Sequence, residues 1–427
     1  MTEATQPRMA RGTKLPAAIL AAALFALLAF APFASAAPDP VASGSATITL
    51  NNGFVKSLNK RGIKIKKIGA TKLQGKKATM PVVGGEMDPT NGAGTLTLAG
   101  GLKFQAGKKK APVKELVIDT TKKGLFAKVG GKKVKFGAVA GFSFTRVNFG
   151  VSLTIKKLKL TKAAAKQLNK KLGFKKGKKP FVGNRLMASA AASEEPSTVT
   201  IVPSGTNVVF DANTELLKKL KEVKTDVETI SPATAKGNSF EFPISGGTIA
   251  PTASAGVVQS IGGVKLFQKL PKNEAGTENY ETEITLGNFY VDLSAHTVSV
   301  EVVAKSNASD KLNLGALGRS SIADLTLTGA TVTTDVTNRR VNVQNAGATL
   351  QPVSAEVLNG FVVVYKAWVE GVAYAKTKAG AEAKGATPEE ADALGKVAAK
   401  VAGEEAAKNE IHAGDALGTF SFSAQTQ

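Results

Sequence analysis

No cysteine occurs in the 427 residues, and histidine occurs only twice, at His296 and His412. The first absence excludes disulfides, thiol nucleophiles and thiolate metal sites. The second excludes His-rich metal centres and most histidine-based triads. Aromatic residues make up 6% of the chain with a single Trp, against 43 glycines. Strands and tight turns suit that composition better than large packed helices. Neither a Gly-x-Ser-x-Gly elbow nor a phosphate-binding glycine loop is present. Glu86 and Asp88 have the spacing of a carboxylate pair on one strand face, but they sit in a Gly-rich turn with no partner base. The chain therefore reads as a non-enzyme, with neither cofactor nor metal implied by composition.

Positive charge is what the chain has in excess. Lys and Arg number 56 against 33 Asp and Glu, a net of +23. The excess is confined to one half. Residues 37–195 hold 33 basic and 7 acidic residues, a net of +26, whereas residues 196–427 hold 20 and 25, a net of −5. Such asymmetry points to an anionic partner for the first half, or to contact between the halves. The lysines cluster at turns, and Lys108, Lys109, Lys110, Lys175, Lys176, Lys178 and Lys179 are the candidate binding residues. An anionic cell-wall polymer or membrane surface is the expected partner. Aromatics for base stacking are missing from these clusters, so specific nucleic-acid binding is not expected. The competing reading is that lysine guards strand edges and solubilises the domain.

The first 36 residues read as an address. Arg8, Arg11 and Lys14 precede an apolar run over 15–33, and Ala34-Ser35-Ala36 supplies a small-residue cleavage site. This is the layout of a secretory signal peptide, so a secreted or envelope-associated location is expected. No later run is long and apolar enough to span a bilayer.

The remainder repeats itself. Pro81-Val-Val-Gly-Gly returns as Pro243-Ile-Ser-Gly-Gly, and Gly100-Gly101 as Gly262-Gly263, 162 residues on. After an 11-residue shift Val117-Ile-Asp119 meets Tyr290-Val-Asp292. Leu160, Ala165, Leu168 and Asn169 then meet Leu350, Ala355, Leu358 and Asn359, and Gly183 is aligned with Gly418. Ordered blocks whose offset grows only by insertion imply a duplicated domain. Within each copy, apolar and polar residues alternate, as in Val151-Ser-Leu-Thr-Ile and Val298-Ser-Val-Glu-Val, which predicts strands with one buried face. One helix is expected per copy, over 162–172 and 352–370. The expected fold is mainly β: two tandem antiparallel β-sandwich-like domains, 37–192 and 198–427, joined by a linker over 193–197. Each has a helix before its last strand, and the second carries an Ala-rich helical insert over 373–411.

The block from Val82 to Phe104, with its Gly-Gly strand, Asp-Pro-Thr-Asn-Gly-Ala-Gly turn and Gly-Leu-Lys-Phe strand, resembles the HtaA-type domain. So does the segment from Leu358 to Tyr365 with Ala413-Gly-Asp-Ala-Leu-Gly-Thr-Phe after the insert. The resemblance implies two divergent copies of a β-rich module of actinobacterial cell surfaces, several of which bind haem. It also implies a Tyr ligand and a supporting His, at positions that fall here near Leu58 and Gly107. The first copy contains neither Tyr nor His. A haem iron needs such a ligand, so haem remains only as an alternative resting on Tyr365 and His412 in the second copy.

Overall fold

The computed structural model describes residues 38–175, 177, 179–272, 279–308 and 312–427. The expected signal peptide and the candidates Lys176 and Lys178 lie outside the described residues. Pro38–Gln427 form one compact unit. Among the described residues, no helix is long and apolar enough to cross a membrane.

The chain is built from antiparallel strands. The first part runs β1 (Asp39–Leu50), α1 (Asn52–Asn59), β2 (Ile63–Ile68), β3 (Lys72–Gln74), β4 (Lys77–Met87), β5 (Gly94–Ala106), β6 (Lys109–Asp119) and β7 (Gly124–Val129). It continues through β8 (Lys132–Val147), β9 (Gly150–Leu160), α2 (Lys162–Leu172) and β10 (Leu186–Pro196). The expected alternation is present: in β1 the side chains of Ala46, Ile48 and Leu50 are buried, and the residues between them are not. A fully buried aliphatic or Phe side chain contributes about 1.5–3 kcal/mol, and this periodic face helps build the apolar core of the first part.

The mainly β, antiparallel, sandwich-like expectation holds, and the sheet closes on itself as a barrel. From β4 through β10 each strand pairs with the next, β10 pairs β1, and β1 pairs β4, so eight strands return to their start. Closure needs curvature, and bulges supply it where register shifts between Val82 and Gly84 and between Leu98 and Gly101. Gly85 shows why this glycine pair recurs. Its φ is +130°, and an added Cβ would fall 2.0 Å from the carbonyl of Thr95.

The second part runs β11 (Val199–Thr200), β12 (Asn207–Ala212), α3 (Thr214–Glu222), β13 (Thr225–Ile230), β14 (Thr234–Lys236), β15 (Ser239–Ile249), β16 (Gly256–Ser260) and β17 (Gly263–Leu270). Then come β18 (Tyr280–Asp292), β19 (Thr297–Ser306), β20 (Gly315–Thr326), β21 (Thr331–Asp335), β22 (Arg340–Leu350), α4 (Pro352–Glu382), α5 (Pro388–Ala407) and β23 (Ala416–Gln425). Here too the pairings close, through β12, β15, β16, β18, β19, β20, β22 and β23.

Equivalent hydrogen bonds recur in both barrels. The buried Asn169 donates to the carbonyl of Phe181 and accepts from its N–H, and Asn359 does the same to Ile411. Asn184 N–H bonds to Leu160 O, as Gly414 N–H does to Leu350 O. That last pair corrects the sequence alignment, because Gly183 corresponds to Ala413 and not to Gly418.

Three further expectations change. Residues 193–196 are not a linker but the paired end of β10, matched to β1 as far as Val41↔Pro196. The helix over 352–370 and the start of the insert are one continuous helix, α4, which packs against α5 as a hairpin. Finally, α1 and α3 were not expected. Asn51 caps the first by accepting from Phe54 N–H and Asn213 caps the second by accepting from Leu216 N–H, each followed by apolar residues four apart.

Candidate functional site

The strands of the first barrel have two unlike ends. One end holds the β5–β6 hairpin tip at Gly107-Lys108, the β7–β8 turn at Gly130-Gly131 and the C-terminus of α2. Thr161 caps α2 at its start, and Gly173 ends it in the left-handed region with φ 72°. The helix lies against β6 and β8, and this packing brings the two lysine clusters together. Lys109 reaches across to the end of α2, where an added Cβ on Gly173 would lie 2.0 Å from its Nζ. Lys171 likewise covers Gly130, where its side chain would meet an added Cβ at 2.4 Å.

Lys108, Lys109, Lys110, Lys170, Lys171, Lys175 and Lys179 are all exposed at this end. None takes part in an ion pair among the described residues. A cation at a helix C-terminus is favoured by the helix dipole, which helps hold the cluster together. The candidates Lys108, Lys109, Lys110, Lys175 and Lys179 therefore share one end of the barrel, and Lys170 and Lys171 join them.

Carboxylates occupy the other end. Asp39, Glu86, Asp88, Asp119, Glu194 and Glu195 all lie at strand termini on that side, and Glu115 is in mid-strand, paired to Lys128 at 3.0 Å. Glu86 and Asp88 form no reactive pair: Asp88 is buried and accepts from Thr90 N–H, Thr90 Oγ1–H and Asn91 Nδ2–H. The turn uses its oxygens.

The acidic end is where the barrels meet. Asp39 accepts from Thr200 N–H at 3.0 Å and from its hydroxyl at 3.1 Å. Glu194 accepts from Val151 N–H at 2.7 Å, and its second oxygen has no protein partner. Burial pushes the Glu194 carboxyl up to about 7; Asp39 and Glu195 nearby add to the rise, and the Val151 hydrogen bond opposes it. Burial also raises Asp39, against its bonds to Thr200, and lowers Arg146, which faces Arg339.

The residues implicated for haem do not assemble. Leu58 is fully buried in the core, and Gly107 is a hairpin tip. Tyr365 sits on α4, stacked on Trp368 at 6.1 Å, and lines a groove with Glu215, Lys218 and Glu405. His412 lies outside that groove, on the loop before β23, where its N–H bonds to Asp415. Among the described residues no cluster of three His, Asp or Glu could hold a metal. Tyr365 and His412 are thus not brought into one groove.

Tyr290, in the repeat block that meets Val117, lies under the Arg319 guanidinium at 3.8 Å. Sequence reasoning missed Lys170 and Lys171, although their i, i+1 placement at the last turn of a capped helix, beside Gly173, was a usable signal.

Residues 221–367 match the HtaA (Htaa) family model. The match starts within α3 and ends within α4, so it covers about a third of the chain, and the first barrel lies outside it. Among solved structures, the HtaA C-terminal domain from Corynebacterium glutamicum is 13% identical with a TM-score of 0.29, covering 36% of this chain and 98% of that one. A domain-swapped dimer of a variant of that domain is 12% identical with a TM-score of 0.26, covering 49% and 90%. No curated protein matches.

Proposed function

We propose that the chain is a secreted or envelope-associated, non-catalytic binding module. Two divergent HtaA-like barrels build it, and the lysine end of the first docks on an anionic polymer or anionic membrane surface. The observation that carries this reading is the convergence of two lysine clusters, through Lys109 against Gly173, on a barrel end without a carboxylate. Unpaired ammonium groups on exposed turns raise a positive potential that attracts a polyanion and releases its counterions. The acidic end, turned to the second barrel, keeps the lysine end outward. Haem plays no part in this reading, because Tyr365 and His412 do not share a site and the first barrel offers no ligand.

The test uses the chain from Ala37 onward. It should sediment with phosphatidylglycerol vesicles, or bind a poly(glycerol phosphate) chain, and should ignore phosphatidylcholine. Binding should fall steeply with salt, since exposed charges are screened over about 8 Å at physiological ionic strength. Salt-insensitive binding, or equal binding to neutral vesicles, contradicts the proposal. A hemin titration with a saturable Soret shift would restore the haem alternative.

A further inference from the structure

The corresponding end of the second barrel is built differently. In the first barrel three rings plug the space beneath α1 and α2: Phe181 meets Phe54 at 6.3 Å and Phe104 edge-on at 5.5 Å. Matching hydrogen bonds and register place Leu216, Leu266 and Ile411 at these positions in the second barrel. Part of the aromatic volume returns beside these positions, where Phe210 and Phe240 stand in place of Ile48 and Ala78 and line the remaining space. Rings bury more volume than the aliphatic chains that replace them, and a well-packed interior does not close such a difference by itself.

The outcome is a cavity of about 130 Å³ under α3 and α4. Its wall includes Leu216, Leu266, Ile284 and Val302, and among the described residues the polar ones along it are Ser320, Ser321 and Ser354. Among the described residues, no charged side chain lines it. The cavity opens where β20 leaves β22: the two strands pair only over Ala323–Thr326, so residues 315–322 of β20 face the first turns of α4. Leu317 and Val353, both among its lining residues, are 46% and 69% exposed at this opening. An engineered apolar cavity of about 150 Å³ in another protein stays dry and takes benzene.

We propose that the second barrel binds a small uncharged hydrocarbon group in this cavity, entering between Leu317 and Val353. The site excludes charge, because nothing inside it could compensate a buried ion. It accepts shape and apolar area, and the serine hydroxyls offer hydrogen bonds to a polar atom on the ligand. This inference does not depend on the lysine end, which belongs to the other barrel.

Toluene is the probe, with benzoate as its charged counterpart of similar size. Toluene added to the chain from Ala37 onward should bind saturably, one per chain by proton NMR, and raise the melting temperature. Benzoate should do neither. The double substitution Leu216→Phe with Leu266→Phe imports the plug of the first barrel and should abolish toluene binding. Leu317→Lys with Val353→Lys changes only exposed positions and should weaken it by about tenfold or more, which keeps the test decisive if the filled variant misfolds. No saturable toluene binding, undiminished binding in these variants, or equal binding of benzoate would overturn the proposal.

Discussion

The two barrels share strand order, an Asn-capped first helix and the Asn169 and Asn359 clamps, yet their equivalent ends do opposite things. The first is plugged by three phenylalanines and ringed with lysine; the second is hollow, apolar inside and roofed by α3 and the first turns of α4. The difference shows that the scaffold leaves its outer end free to vary once the strand pairings and the clamp are kept. Function lives in the site and not in the fold.

Removing what differs should give the largest effects. Phe104→Ala takes a central ring from the plug and should cost about 3–5 kcal/mol in a denaturant melt. Leu266→Ala, at the matching but already hollow position, should cost about 2–3 kcal/mol. Equal costs would mean that the two ends are packed alike.

The shared clamp should respond next. Asn169→Ala leaves the Phe181 N–H and carbonyl without partners in a buried place, at about 2–4 kcal/mol. Asn359 is only half-buried, so Asn359→Ala should cost about 1–2 kcal/mol, since water can replace the lost bonds.

The junction between barrels carries a pH signature. Glu194 is raised to about 7 when folded, so the folded state holds its proton more tightly than the unfolded chain does. Stability should therefore fall as pH rises from the ordinary carboxyl range near 4.5 to about 7, by up to about 3 kcal/mol, and stay flat beyond. Glu194→Gln keeps the acceptor for Val151 and should flatten that window, melting above the parent at pH 8 and level with it near pH 4. Asp39 and Glu195 are the carboxylates nearby, so the double variant with Asp39→Asn should remove any remaining slope.

Much of this was legible in sequence, and the exceptions have physical reasons. Period-two alternation gave the strands because each has one wet face, and Asn169 and Asn359 gave the repeat because their clamp fixes spacing. Barrel closure was not legible, since it depends on bulges at Gly84 and Gly101 whose effect is three-dimensional. Ser193-Glu-Glu-Pro196 reads as a polar linker because Glu194 is a carboxylate that points inward. Helices α1 and α3 are eight and nine residues long, too short for a periodic signal to stand out from their flanking strands. The lysine clusters were visible as runs, but only the packing of α2 on β6 and β8 shows that two of them are one surface. The cavity left no local trace, as its lining comes from segments more than a hundred residues apart.

The smallest effect on stability accompanies the most direct test. Changing Lys108, Lys109, Lys110, Lys175 and Lys179 to Gln touches exposed side chains, each worth within about 0.5 kcal/mol of stability. A control carries Gln at Lys376, Lys378, Lys384, Lys400 and Lys408 on the α4–α5 hairpin, which removes the same charge. Both proteins are titrated with phosphatidylglycerol vesicles across a salt series. The account predicts that the first variant loses binding and most of its salt dependence, while the control binds like the parent. Equal loss in both would show that net charge alone attracts the surface, and would contradict a docking face at the lysine end of the first barrel.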